Sequence, residues 1–309
     1  MVGTRWPGAT HVPTSVDPAA WLGQRSTFSV PRADQAFHPH QTRPLHGMPA
    51  ASCILDLIQL QDPSRPVRVV KEVRLRASVR AARVLFTINA SVRAELIAGF
   101  AVEPESVIVL DMPVDHEMPA RVAARRASAP QGRYVVAVGR FDHHKNLGRL
   151  VEAFTATRFA QTGGGLHLVG GTAGQLAALG VDPLPAGVTV RGALDLVELE
   201  DAMAGATALV QASLVEGYGL PVAEALMARL PVTSSPVPAA VEFGPAGLPV
   251  FDPRSVGSIS QAIDETVDLV DQGNYWNRVD RESWVAALPT TRGLAEQVLG
   301  GLDRMKPEN

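Results

Sequence analysis

Cysteine is almost missing from this sequence. Cys53 is the one thiol in 309 residues, so no disulfide can form within the chain and no cysteine-rich zinc site can be assembled. No run of ~18 apolar residues occurs, which excludes a membrane-spanning helix by length. The opening residues, MVGTRWPGAT, lack the apolar core of a secretory leader, and the expected compartment is the cytoplasm. Charge of one sign is not in excess either. A net charge of −3 gives no electrostatic footprint for nucleic acid. There is no Gly-x-Ser-x-Gly elbow to anchor a serine hydrolase and no Gly-x-x-x-x-Gly-Lys-Ser/Thr loop for an NTPase. No Asp-x-Asp pair is available to hold a metal.

What is present reads as globular. The hydrophobic fraction is 46% and the charged fraction 19%, and the length suffices for two ordinary domains. Residues 1–33 are rich in Pro, Ser and Thr without sustained periodicity and read as an irregular segment. From residue 34 to 115, short apolar runs alternate with longer stretches free of Gly and Pro. ASCILDL, VLFTIN and SVIVLDMPVD predict strands. PVRVVKEVRLRASVRAAR and ASVRAELIAGF predict helices. Residues 116–132, HEMPARVAARRASAPQG, are polar and read as a linker. The alternation resumes over 133–288, and 289–309 reads as a C-terminal helix. Strand–helix alternation implies parallel sheets covered by helices. Two such α/β units place the expected ligand site outside the carboxyl ends of their strands, in a crevice.

Two stretches carry the chemistry. In VAVGRFDHHKN, Gly139 ends a predicted strand, Arg140 follows at the turn, and Lys145 precedes a helix. A guanidinium fork, an ammonium and a helix start make a good anion site, although the same residues could be surface cations at a turn. The adjacent histidines of DHHK find no further ligands nearby and read as a polar turn. In LVEGYGLPVAEA, Glu216 falls at a strand end, Gly217 and Gly219 allow close backbone approach, and Pro221 suits a first helical turn. Glu224 is expected in that first turn, favoured by the helix dipole. A carboxylate can also accept from two vicinal hydroxyls. A third feature is a basic stretch: seven of the nineteen residues from Arg65 to Arg83 are Lys or Arg. It reads either as a solvated helix face or as a contact for an anionic membrane surface or phosphate-bearing acceptor.

GRFDHHKN followed by EGYGLPVAEALMARLPV resembles the GT-B glycosyltransferases commonly called group 1 or family 4. Their hallmark is two glutamates separated by seven residues, matched by Glu216 and Glu224. The resemblance continues through SSPVPAAVEFGPAG and DPRSVGSISQAI and spans Tyr134 to about Trp284. It implies an α/β chain of GT-B architecture, with two Rossmann-like parallel-sheet domains facing a cleft and the N-terminal one shortened. It implies transfer of a sugar, hexosyl or mannosyl, from a UDP- or GDP-linked donor to a carbohydrate or lipid-linked acceptor, with retention of configuration. No other cofactor and no metal is implied. By position, Gly139, Arg140 and Lys145 would meet the diphosphate. Glu216 would meet sugar hydroxyls, Gly217, Tyr218, Gly219 and Leu220 sugar or phosphate through their amides, and Glu224 the ribose. Catalysis would rest on Glu216, Arg140 and Lys145. A lipid-linked acceptor would bring the enzyme to the inner face of the membrane.

The N-terminal half departs from the family. Its usual opening strand and glycine-rich loop have no counterpart. Leu55 stands where a His usually precedes the residue matched by Asp56, and Asn89 where Ser is commoner. Asp56 and Asn89 are the acceptor-side candidates. Arg229 occupies a turn position usually held by Gly. The alternative expectation is therefore a nucleotide-sugar-binding protein that is non-catalytic or dependent on a partner.

Overall fold

The computed structural model describes residues 36–38, 50–61, 64–128 and 131–305. The irregular segment expected over 1–33 lies outside them. The chain divides into two compact units, one comprising residues 1–110 and 295–309 and the other 111–294.

The first unit holds β1 (Ala36–His38), β2 (Ala50–Cys53), α1 (Arg65–Ala81), β3 (Val84–Thr87), α2 (Ala90–Phe100) and β4 (Val107–Val109). Its strands form a parallel sheet in the order β1-β2-β3-β4. Consecutive neighbours joined by crossovers of one hand put their helices on one face. Leu75 and Val79 of α1 and Val92 and Leu96 of α2 accordingly share a core with Leu85 and Val107. Pro66 fits the first turn of α1. The α2 helix starts because the Asn89 side chain accepts from the Val92 amide at 2.7 Å.

The second unit opens on α3 (Glu117–Ser128), where a linker is expected from sequence. Met118 and Val122, four apart, bury one face of this helix. Its arginines, though partly exposed, are paired. Arg121 Nε and Arg125 Nη2 donate to the buried Glu200 carboxylate at 2.6 and 3.0 Å. Arg126 Nη1 donates to the carbonyls of Ala204 and Ala206 at 2.9 and 2.6 Å. A cation at those carbonyls complements the negative helix end that carries them. Burial pulls the Arg126 guanidinium down to about 10.

After α3 come β5 (Tyr134–Val138), α4 (Leu147–Thr155), α5 (Arg158–Gln161), β6 (Gly165–Val169), α6 (Ala173–Ala178), β7 (Val188–Val190) and α7 (Leu196–Ala204). Then follow β8 (Ala208–Gln211), α8 (Leu220–Met227), β9 (Val232–Ser234), α9 (Pro238–Val241), α10 (Val256–Asp271), α11 (Tyr275–Arg278) and α12 (Arg281–Ala286). The last helix, α13 (Thr291–Asp303), returns the chain to the first unit, where Gly301 packs on Phe86 and Ile108.

Within GTAGQL, Thr172 and Gln175 build a reciprocal capping box that starts α6. Asp195 and Glu198 start α7 in the same way. GLPVF contributes a single bridge between Ser234 and Val250.

The second sheet is parallel in the order β7-β6-β5-β8-β9. Its middle strands are buried on both faces, and their sequences, YVVAV and ALVQ, are near-continuous apolar runs as that requires. Leu150 and Phe154 of α4 and Ile259 and Ile263 of α10 pack on Leu166, Leu168 and Val210. Each such side chain contributes ~1.5–3 kcal/mol when fully buried. The chain winds outward from β5 in one direction through β6 and β7, then in the other through β8 and β9. The order reverses between β5 and β8, and a doubly wound sheet opens its ligand crevice at such a point.

Candidate functional site

The loop leaving β5 and the loop leaving β8 meet at that reversal. The β5 loop runs through Gly139 and Arg140 into a short 3₁₀ turn, His143–Lys145. Asn146 then takes a left-handed conformation, φ 58°. Its buried amide donates to the carbonyls of Ala212, 3.1 Å, and Pro253, 2.7 Å. The Leu214 amide donates to the His144 carbonyl at 2.7 Å. The two loops are thus stitched by one backbone hydrogen bond and by the Asn146 side chain.

Lys145 and Glu216 are brought together. The Lys145 ammonium donates to Glu216 Oε1 at 2.5 Å, and both side chains are largely buried. Gly139 makes this reach possible. A Cβ there would lie 3.1 Å from Lys145 Cε and 3.2 Å from Nζ, and its φ of 145° is one that side-chain-bearing residues rarely adopt. Two neutral donors converge on the same oxygen: Gln211 Nε2 at 2.8 Å and Ser213 Oγ at 2.6 Å. Among the described residues Glu216 Oε2 has no hydrogen-bond partner. Burial lowers the proton affinity of the half-buried His144 imidazole, against the pull of the Glu216 charge.

The other expected residues are placed as follows. Arg140 projects into solvent, 86% exposed, and touches Asp142 at 3.2 Å. The Tyr218 ring is buried and stacks on Phe243 at 5.4 Å, and the Tyr218 carbonyl accepts from the Ala239 amide. This leaves packing as the work of the ring. Gly219 caps α8 with φ 96°, and a Cβ there would strike Val237 Cγ2 at 2.9 Å. Leu220 begins α8 and is exposed.

Glu224 is a correction. It is the fifth residue of α8, and no acid occupies the first turn. A dipole contact therefore does not explain it. Its half-buried carboxylate accepts no hydrogen bond among the described residues. Burial first, and Asp115 second, push it above the usual carboxylate range. Asp56 and Asn89 sit in the first unit. Asp56 Oδ1 accepts from the Ile58 amide at 3.0 Å, and Asn89 caps α2.

Sequence reading missed Gln211, Ser213 and Asn146. One signal was available: Gln211 is a polar residue ending the otherwise apolar strand ALVQ. Gln211 and Ser213 line a small recess together with Gly139 and Lys145, and Asn146 ties down the loop beside Lys145. A larger concavity, about 630 Å³, lies elsewhere in this unit, between α5 and α10. Its charges are spent on each other, Arg158 Nη2 donating to Asp268 Oδ2 at 2.7 Å. Spare hydrogen-bonding capacity, not volume, marks the first recess as the site. Among the described residues no cluster of three or more His, Cys, Asp or Glu could hold a metal ion. No described helix is long and apolar enough to cross a membrane.

Residues 132–268 match the protein family described as Glycosyl transferases group 1. Solved structures show the same fold. Sucrose-phosphate synthase from Thermosynechococcus elongatus superposes with TM-score 0.66 at 21% identity, over 83% of this chain and 67% of that one. Alr3699/HepE from Anabaena, solved with UDP and glucose, gives 0.64 at 15%, over 83% and 72%. WaaG, a glycosyltransferase involved in lipopolysaccharide biosynthesis, gives 0.61 at 16%, over 89% and 79%. At these identities the likeness is one of fold, and that fold is GT-B. No curated protein matches the chain.

Proposed function

We propose that this protein transfers a sugar from a nucleoside-diphosphate sugar, UDP- or GDP-linked, to an acceptor hydroxyl with retention of configuration. The observation that carries the reading is the meeting of Lys145 and Glu216 at the sheet reversal, inside the region matching the group 1 family. In the reaction, the bond from the anomeric carbon to the diphosphate breaks and its electron pair stays on the diphosphate oxygen. The acceptor oxygen bonds to that carbon on the face just vacated. The acceptor proton passes to the departing diphosphate.

Each site residue has work in that scheme. Negative charge develops on the diphosphate, and fixed cations and amides stabilise it without reorganising. In this reading Lys145, Arg140 and the backbone amides from Gly217 to Leu220 do this once the donor has bound. The free oxygen of Glu216 accepts from sugar hydroxyls. Glu224, a carboxylate lacking a hydrogen bond, takes the ribose diol. Two side-chain cations meet the diphosphate charge, so the reading is metal-independent, and product should form undiminished in excess chelator. Loss of activity restored by magnesium or manganese would overturn that part.

The acceptor side is read from α1. Val67, Val69, Val70 and Val73 are exposed along it, between 43% and 61%, beside the exposed Arg65, Arg74 and Arg80. An apolar strip with basic neighbours suits the interface of an anionic membrane and hence a lipid-linked acceptor. Cosedimentation with anionic but not zwitterionic vesicles is the expected result. Thermal shift against a panel of nucleotide sugars tests the donor. A specific donor at 100 times its Kd stabilises the fold by ~2.7 kcal/mol. Absence of a shift with every UDP- and GDP-sugar would sink the proposal, and turnover with the binding donor separates a transferase from a binding protein.

A further inference from the structure

The three donors at Glu216 are not equivalent. Lys145 is a cation, which an incoming diphosphate can claim. Gln211 and Ser213 are neutral, buried and fixed to the sheet. Gln211 is 3% exposed and ends β8, and its carbonyl accepts from the Ser235 amide at 2.7 Å. Ser213 is 2% exposed, and its carbonyl accepts from Ser235 Oγ at 2.7 Å. Gln211 Nε2 also donates to Ser213 Oγ at 2.8 Å, so the two side chains brace each other. A buried polar chain of this kind is rigid only while every member is satisfied. Here the chain ends on one oxygen of Glu216 and leaves the other free.

We propose that Gln211 and Ser213 are positioning residues that clamp Glu216 through Oε1, so that Oε2 stays aimed at the donor sugar when Lys145 moves to the diphosphate. The inference rests on the reading of Glu216 as the sugar contact. Lys145 alone could not do this, because it leaves its partner at the moment the sugar must be held. The two neutral donors stay in place, since both are buried and tied to Ser235. They also keep the carboxylate from following the departing ammonium toward the phosphates.

The test uses the full chain with Gln211→Met, which conserves volume and removes the donor, with Ser213→Ala, and with Ser213→Thr, which keeps the hydroxyl. Two readouts are needed. The first needs no donor: crystal structures of the free variants report the Glu216 carboxylate. In Gln211→Met and Ser213→Ala it is expected to lose its single orientation, and in Ser213→Thr to keep it. The second is calorimetry with UDP and GDP against UDP-glucose and GDP-mannose. Plain nucleotides should bind the first two variants within about twofold of wild type. The gain from the sugar should fall roughly 10–100-fold, the scale on which small misplacements act, and kcat should fall further than KM rises. A carboxylate that keeps its orientation in both variants overturns the clamp. So does a sugar gain that survives in them. If wild type binds sugar and plain nucleotides equally while the carboxylate still loses its orientation in the variants, the clamp stands. The sugar-contact reading of Glu216 then falls.

Discussion

Replacing Glu216 with glutamine should tighten binding of a plain nucleoside diphosphate. The reasoning starts from the resting contact, Lys145 Nζ to Glu216 Oε1 at 2.5 Å, in a place where both side chains are under 15% exposed. A diphosphate must draw Lys145 away from that carboxylate before it gains the ammonium. Glutamine keeps the shape and an oxygen able to accept from Gln211 and Ser213, and loses the charge and the second acceptor oxygen. A hydrogen bond to a charged group contributes ~1.5–3 kcal/mol and a neutral one ~0.5–1.5. The Lys145 contact therefore weakens by about 1–1.5 kcal/mol. The free protein loses roughly that much stability. The same amount no longer opposes the diphosphate, and affinity for UDP or GDP rises about five- to tenfold. Nucleotide sugars move the other way relative to the plain nucleotide, because their hydroxyls meet an amide NH2 in place of the open carboxylate oxygen. Calorimetry with UDP, GDP and their sugar conjugates measures both, and a denaturant midpoint measures the stability change. A tenfold loss of UDP and GDP binding in Glu216→Gln would refute the argument, since it would make Glu216 a nucleotide contact and not a resting partner for Lys145.

Gly139→Ala should cost ~1–3 kcal/mol of stability, the scale for backbone held in a sparsely populated region, and should weaken diphosphate binding by displacing the Lys145 head; an unchanged affinity would show that Lys145 does not reach across Gly139 in the bound state. Asn89→Ala should destabilise the first unit by about 1–2 kcal/mol, as for loss of a helix cap, while leaving UDP and GDP affinity untouched; a change in nucleotide affinity would contradict a structural role for Asn89. Glu224 sits above the usual carboxylate range, so folding favours its neutral form and its contribution to stability falls as pH rises from the ordinary glutamate range through the raised value. Glu224→Gln should therefore be more stable than wild type near neutral pH and no more stable well below the ordinary range, yet should bind nucleotide ~10-fold more weakly for want of a charged acceptor; equal melting temperatures across that window would remove the burial argument.

The parallel sheets and most of their helices were legible because their signals are local and strong. YVVAV, VLFT and ALVQ are buried strands by composition alone, and LGRLVEAFT is helical by period. The α3 helix was misread as a linker for a physical reason. Its arginines look solvated until Glu200, some eighty residues later, is known to be buried against them. That pairing is non-local and leaves no periodic trace. Lys145 and Glu216 were each visible as candidates, but their contact was not, since nothing in a sequence says that the β5 and β8 loops adjoin. Glu224 was assigned to the first turn because Pro221 marks a helix start, and one turn of error changed its explanation from dipole to burial.

One criterion separates the candidates that a ligand could use from those the fold already employs. A side chain whose hydrogen bonds are met by its own neighbourhood has nothing left to offer without first breaking a structural contact. Asn89 gives its oxygen to the Val92 amide and is fully buried, and Asp56 gives an oxygen to the Ile58 amide two residues on. Using either for an acceptor sugar would set a new bond against the loss of an old one, with a net near zero. Glu216 and Glu224 differ. The first has one oxygen saturated and one open. The second has no hydrogen bond to its carboxylate among the described residues, and burial already disfavours its charge. For such groups a ligand hydroxyl relieves an existing penalty and displaces nothing. The gain is the larger because each carboxylate is already partly desolvated before the ligand arrives. By this measure the proposed donor contacts lie in the second unit, and mutations at Glu216 and Glu224 should alter nucleotide-sugar binding far more than mutations at Asp56 or Asn89.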